Sequence, residues 1–80
     1  MLTNGNQLKA ARALAGMDQA ELAKRAKLSV TTISNMEGVG GDILRSSFET
    51  VRAVQRALEA VGVEFTNGDS PGVRLKASKA

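Results

Sequence analysis

The sequence predicts a mainly α fold, a small bundle of helices with a C-terminal β-hairpin. Three observations carry this. Four stretches place apolar residues three and four apart behind a capping residue. The last part of the chain changes to a period of two, Val63-Glu64-Phe65-Thr66 and Val73-Arg74-Leu75-Lys76, around a run of turn residues. The chain has 80 residues and no cysteine, so one small core must hold it without disulfides.

Asn4 or Thr3 caps a first helix that runs to about Ala15. Leu8, Ala11, Leu14 and Ala15 form its apolar stripe, and Lys9 and Arg12 are polar exceptions. Gly16 follows, where a left-handed helix end is expected. Asp18 opens the second helix, with Glu21 three residues on in a capping-box-like start. Leu22, Ala23 and Ala26 make the inner face of this helix. Lys24, Arg25 and Lys27 make a basic outer end that suits either the helix dipole or a phosphate.

Ser29 caps a third helix that ends near Glu37-Gly38, with Leu28, Ile33 and Met36 on its apolar side. Val39-Gly40-Gly41-Asp42 is a glycine-rich break. Ile43-Leu44 is expected to turn back onto the core. Ser46 and Ser47 begin the fourth helix, and Glu49, three after Ser46, suggests a second capping box. Val51, Val54, Ala57, Leu58 and Val61 face inward, Arg52, Arg56 and Glu59 face outward, and Gly62 closes the helix.

A five-residue loop from Asn67 to Pro71 pairs Phe65 with Val73, Val63 with Leu75 and Glu64 with Arg74. That register places four apolar groups on one face and opposite charges on the other. A lone hairpin is marginal in water. It either folds onto its own helices or pairs with a second copy across a two-fold axis, in which case Val63, Phe65, Val73 and Leu75 are the dimerisation residues. The chain thus divides into a helical part, residues 1–62, a hairpin arm, 63–76, and a tail, 77–80, expected to fray.

Composition removes several classes of function. Without His or Cys there is no imidazole base, no thiol nucleophile and no ordinary zinc ligand set. A carboxylate pair such as Asp42 and Glu49 has no nucleophile or base beside it. No enzyme, no metal and no cofactor are therefore expected. The formal charge of +3 is compatible with a polyanion partner. No apolar run approaches the roughly 18 residues of a spanning helix, and residues 1–6 lack a signal-peptide stretch, so no membrane partner is expected. The lack of Cys fits a cytoplasmic setting.

The second and third helices are short, and the turn between them is tight. Such a turn needs a small residue where the helices meet, and Ala23 supplies it. Leu22, Leu28, Ile33 and Met36 seal the contact. The arrangement is a helix-turn-helix, whose second helix protrudes. The outer side of that helix carries Ser29, Thr31, Thr32, Ser34 and Asn35 rather than the Lys and Glu of a solvated face. Double-stranded DNA is the expected partner, because a helix of this kind fits the major groove. Ser29, Val30, Thr31 and Asn35 are expected at base edges, with Asn35 suited to a bidentate pair with adenine and Val30 to a thymine methyl. Gln19, Lys24, Lys27, Thr32 and Arg45 are expected at the DNA backbone.

The run Gln19-Ala20-Glu21-Leu22-Ala23, followed by Leu28-Ser29, Thr32-Ile33-Ser34 and Glu37-Gly38, resembles the Cro/repressor-like helix-turn-helix family, often labelled XRE-type. The resemblance covers about Leu8 to Val61. It implies a lambda-repressor-like bundle of four to five helices, major-groove binding, and a homodimer on a palindromic operator. It also implies an anchoring pair between Arg12 and Glu37. The chain departs from the family in two places. Lys27 stands in the turn where Gly is common, and the recognition helix lacks long Gln or Arg side chains. The function expected is that of a sequence-specific transcriptional regulator of repressor type. The other reading is an antitoxin-like or regulatory module that binds a protein partner, with DNA binding secondary.

Overall fold

The first three helices start where their capping residues stand. Asn4 Oδ1 accepts the Gln7 amide at 2.7 Å and opens α1, Gly5–Ala15. Asp18 Oδ1 accepts the Glu21 amide at 2.8 Å and opens α2, Gln19–Ala26. Ser29 Oγ accepts the Thr32 amide at 3.1 Å and opens α3, Val30–Gly38. Each bond satisfies a first-turn N–H that the helix itself leaves without a partner. Gly16 ends α1 with a φ of 71°, in the left-handed region. The computed structural model describes residues 1–66 and 71–76.

The fourth helix, α4, Phe48–Glu59, corrects the expected start by one residue. Ser47, not Ser46, is the cap. Its hydroxyl accepts the Thr50 amide at 3.2 Å and donates to Thr50 Oγ1 at 2.9 Å. Glu21 does not close a box at α2 either: its carboxylate takes Arg25 at 2.8 Å. Four helices are present among the described residues, followed by β1, Val63–Thr66, and β2, Gly72–Leu75.

The core gathers Leu8 and Ala11 of α1, Leu22, Ala23 and Ala26 of α2, Ile33 and Met36 of α3, and Val51, Val54 and Leu58 of α4. Leu2 and Met17, outside every periodic stretch, are buried with them. Two expected core residues are not in it. Leu14 is 44 % exposed, because the buried side of α1 runs through Leu8, Ala11 and Ala15 and stops short of it. Ile43 is 77 % exposed. It pairs with Asn4 through the backbone, and the alternation of extended chain turns its neighbour Leu44 inward instead.

The start of α1 meets the end of α3 at very short range. A Cβ on Gly5 would stand 2.5 Å from the Met36 carbonyl oxygen and 2.8 Å from that of Glu37. Only glycine permits this approach.

The strands pair as the sequence predicts: Val63 with Leu75, Glu64 with Arg74, Phe65 with Val73 and Thr66 with Gly72. Residues 67–70 of the expected five-residue loop, and the expected frayed tail 77–80, lie outside the described residues. Within the chain the hairpin packs on its own helices. Val63 is in the subunit's core, Phe65 and Val73 are half-buried against it, and Leu75 is 45 % exposed. A buried glutamine holds the hairpin down. Gln7 donates from Nε2 to the carbonyls of Thr66 at 3.2 Å and Gly72 at 3.1 Å, and its Oε1 accepts the Thr3 amide at 2.7 Å. Every polar atom of that side chain has a partner, which is the condition for burying it in so small a core.

Candidate nucleic-acid interface

The turn between α2 and α3 is made by Lys27, with φ 59° and ψ 44°. It is the one non-glycine residue with a positive φ among those described. The Leu28 amide returns to the Ala23 carbonyl at 2.9 Å and the Lys27 amide to that of Lys24 at 3.2 Å, so α2 ends in a closed left-handed cap. The left-handed conformation costs a residue with a Cβ about 1 kcal/mol. In return it swings the chain so that α3 crosses α2 and presents one side to solvent.

That side is Val30, Thr31, Ser34 and Asn35, all exposed, while Ile33 and Met36 are buried behind them. The structure divides the polar set of α3 in two. The hydroxyls of Ser29 and Thr32 lie 2.9 Å apart and hydrogen-bond each other, and Ser29 also caps the helix. Their first duty is therefore at the helix start. Thr31, Ser34 and Asn35 make no side-chain hydrogen bond among the described residues. Ser34 had no role in the sequence reading. Its signal was position: it stands three after Thr31 and four after Val30, on the same helical side.

Glu37 ties α3 to the rest. Arg12 donates from Nε to Oε2 at 2.7 Å and from Nη2 to Oε1 at 3.1 Å, in the two-pronged geometry that suits a guanidinium. Arg12 also donates to the Met17 carbonyl at 3.0 Å. The two charged side chains are 18 % and 6 % exposed. Burial works against the Glu37 charge, but the hydrogen bonds from Arg12 and Gln19 and the attraction of Arg12 and Lys9 outweigh it. The carboxyl is held below its ordinary range. The hydrogen bond to Glu37 likewise raises Arg12 above its ordinary value.

Gln19, expected at a phosphate, is part of this anchor. Its Nε2 donates to Glu37 Oε1 at 3.1 Å. One amide proton of the same group remains for a phosphate. Lys24, Lys27 and Arg45 are exposed, and none has a carboxylate within ion-pair distance among the described residues. Arg25 differs from them, being paired with Glu21. Arg45 and Asn35 line one shallow depression of about 270 Å³ beside α3, so the structure brings together two residues ten apart in the chain.

A family profile described as a helix-turn-helix domain matches residues 5–66, from the first residue of α1 to the last of β1. The chain belongs to this helix-turn-helix family. The match agrees with the Cro/repressor-like resemblance read from the residues, and it makes the protein a DNA-binding regulator in general. No curated protein matches it. In this helix-turn-helix domain, α2 and α3 are the two helices of the motif. The Arg12–Glu37–Gln19 cluster joins them to α1. Among the described residues, no helix is long and apolar enough to cross a membrane.

Proposed function

We propose that this helix-turn-helix protein is a sequence-specific transcriptional regulator of repressor type, which works as a homodimer and lays α3 in the major groove. Thr31, Ser34 and Asn35 meet base edges, and Val30 meets a thymine methyl. Lys24, Lys27 and Arg45, with the remaining amide proton of Gln19, meet phosphates. Ser29 and Thr32 hold the helix start and approach the backbone. The protein performs no catalysis in this reading and acts in the cytoplasm. Occupying the operator excludes other proteins from the same DNA, and that exclusion is the repressor activity.

The observation that carries the proposal is the division of the polar groups. Around α3 the buried and capping groups are hydrogen-bonded, and those left without partners are all on the solvent side of one helix. Short side chains limit direct readout, so part of the specificity passes through ordered water. One copy then binds weakly. Two copies with recognition helices about 34–36 Å apart, one turn of DNA, add their contacts.

A salt series on genomic fragments tests this. Three cations per subunit make six per dimer, and the logarithm of the binding constant should fall with the logarithm of salt at a slope of about −5. No preference over random DNA at any salt would instead favour the protein-interaction reading.

A further inference from the structure

The buried amide of Gln7 is bonded at both ends. Its Nε2 end holds the hairpin. Its Oε1 end accepts two bonds from Thr3, one from the amide at 2.7 Å and one from the hydroxyl at 3.2 Å. In a capping box the third helical residue returns to the amide of the cap itself. Asn4 is the cap of α1, and Gln7 reaches one residue further back. Thr3 in turn faces the segment between α3 and α4. Its carbonyl accepts the Leu44 amide at 2.9 Å, and Asn4 and Ile43 pair through the backbone. The Asn6 amide bonds the Gly40 carbonyl at 2.9 Å. Residues 39–47 belong to no helix or named strand. Apart from Leu44, which packs on the core, this segment is tied down by those backbone bonds to residues 3–6. Arg45 follows Leu44 directly and is exposed.

We propose that Gln7 is a positioning residue for DNA binding: through Thr3 and Leu44 it sets where Arg45 stands beside Asn35. In the DNA reading on which this rests, Arg45 meets a phosphate. A long exposed side chain with no carboxylate partner does not place itself. Its reach is set by its backbone, and the backbone of residues 43–45 is held from residues 3 and 4. Arg45 and Asn35 line the same depression. A phosphate contact at one and a base contact at the other keep a fixed spacing only while the segment is held. Holding it before DNA arrives removes an ordering cost from binding. The segment has little else to steady it: Ile43 is 77 % exposed, and two adjacent glycines, Gly40 and Gly41, precede it. Leucine would fill the space of Gln7, but an apolar side chain gives Thr3 no direction. A fully bonded buried amide does, because each bond has a preferred angle and a broken one leaves a polar group bare.

Salt slopes of DNA binding by variants of the full chain test this role. In each background the quantity read is the change in slope that Arg45→Gln produces, on a genomic fragment the parent prefers. The temperature is one at which circular dichroism shows every variant folded. In the parent the slope should become less steep by about 1 per subunit. In Gln7→Leu, which offers Thr3 no acceptor, the change should be near zero. Gln7→Glu keeps an acceptor for Thr3 and gives up the donors to Thr66 and Gly72. Its Tm should fall while Arg45 keeps its full share of the slope. Should Gln7→Leu not fold, Thr3→Pro removes the same amide and hydroxyl, leaves Gln7 on the hairpin, and should silence Arg45 equally. A full Arg45 share in Gln7→Leu or Thr3→Pro, or a share lost alike in Gln7→Leu and Gln7→Glu, overturns the role of Gln7 and leaves the DNA reading standing. A parent that prefers no fragment, or in which Arg45→Gln changes nothing, overturns both. Hydrogen exchange of the Leu44 amide then separates the causes. Exchange faster by about tenfold or more in Gln7→Leu than in the parent places the failure in the DNA reading, and unchanged exchange places it also in the link from Gln7 to Leu44.

Discussion

The two sides of α3 carry polar groups of similar kind in opposite circumstances. On the inner side, Glu37 accepts three hydrogen bonds, two from Arg12 and one from Gln19, and is 6 % exposed. On the outer side, Thr31, Ser34 and Asn35 are exposed and without side-chain partners among the described residues. A polar group that the fold satisfies holds the fold, and removing it leaves its partner bare. A polar group that the fold does not satisfy costs little to remove and is free to meet something else. Stability and recognition are thus divided between two sides of one helix.

The largest effect is expected on the inner side. Glu37→Ala leaves the Arg12 guanidinium without its carboxylate and should cost about 3 kcal/mol, the lower end for a buried pair because Arg12 keeps some contact with water. In a domain of this size that lowers Tm by roughly 12–24 °C, read by calorimetry. The same pair sets a pH dependence. Glu37 titrates lower in the folded chain than in the unfolded one. The stability it contributes is therefore fully present above its ordinary value of 4.5 and is lost as pH falls through the folded value. Tm measured from pH 7 to pH 2 should show this fall in the parent and a smaller one in Glu37→Gln. A flat parent profile would contradict the anchor.

Next comes the close approach behind the anchor. Gly5→Ala drives a methyl group against two backbone carbonyls of α3, which cannot rotate away, and should cost about 1–3 kcal/mol in urea unfolding.

On the outer side the readout changes. Asn35→Ala should leave stability within about 0.5 kcal/mol. It should weaken operator binding by about 1–3 kcal/mol and relax the preference at one base position. An Asn35→Ala protein that loses stability but keeps its DNA preference would erase the contrast between the two sides.

The smallest effect joins the two. Lys27 is strained and exposed, so Lys27→Gly should raise stability by up to about 1 kcal/mol while making the salt slope less steep by about 1 per subunit. A gain in stability with no change in slope would assign Lys27 to the turn alone.

Much of the fold was legible in the chain. Asn4, Asp18 and Ser29 cap helices because each acts on an amide three residues away, and that information is local. The strand register was legible because only one alignment puts Val63, Phe65, Val73 and Leu75 on one face and Glu64 against Arg74. The fourth cap was misplaced by one residue because Ser46 and Ser47 are chemically alike, and the choice fell to Thr50, whose amide and hydroxyl both reach Ser47. Of the candidate site, the outer positions of α3 followed from helical spacing. The duties of Thr32 and Gln19 did not, since the hydroxyl of Thr32 is taken up by Ser29 and the amide of Gln19 by Glu37, eighteen positions away.

By itself, the sequence determined where the first three helices begin, which helical sides are broadly apolar, how the two strands pair, and that a helix-turn-helix stands at the centre. These depend on partners within a few residues, or on a period that repeats along one segment. Only the tertiary structure decided what depends on distant partners. Gln7 reads as one more polar residue until Thr66 and Gly72, about sixty positions away, bring it their carbonyls. Leu14 reads as core until the buried side of α1 passes it by. Gly5 reads as an ordinary helix start until the end of α3 closes against it. In each case the residue type is compatible with more than one environment, and the energy that chooses between them comes from a surface built by another part of the chain.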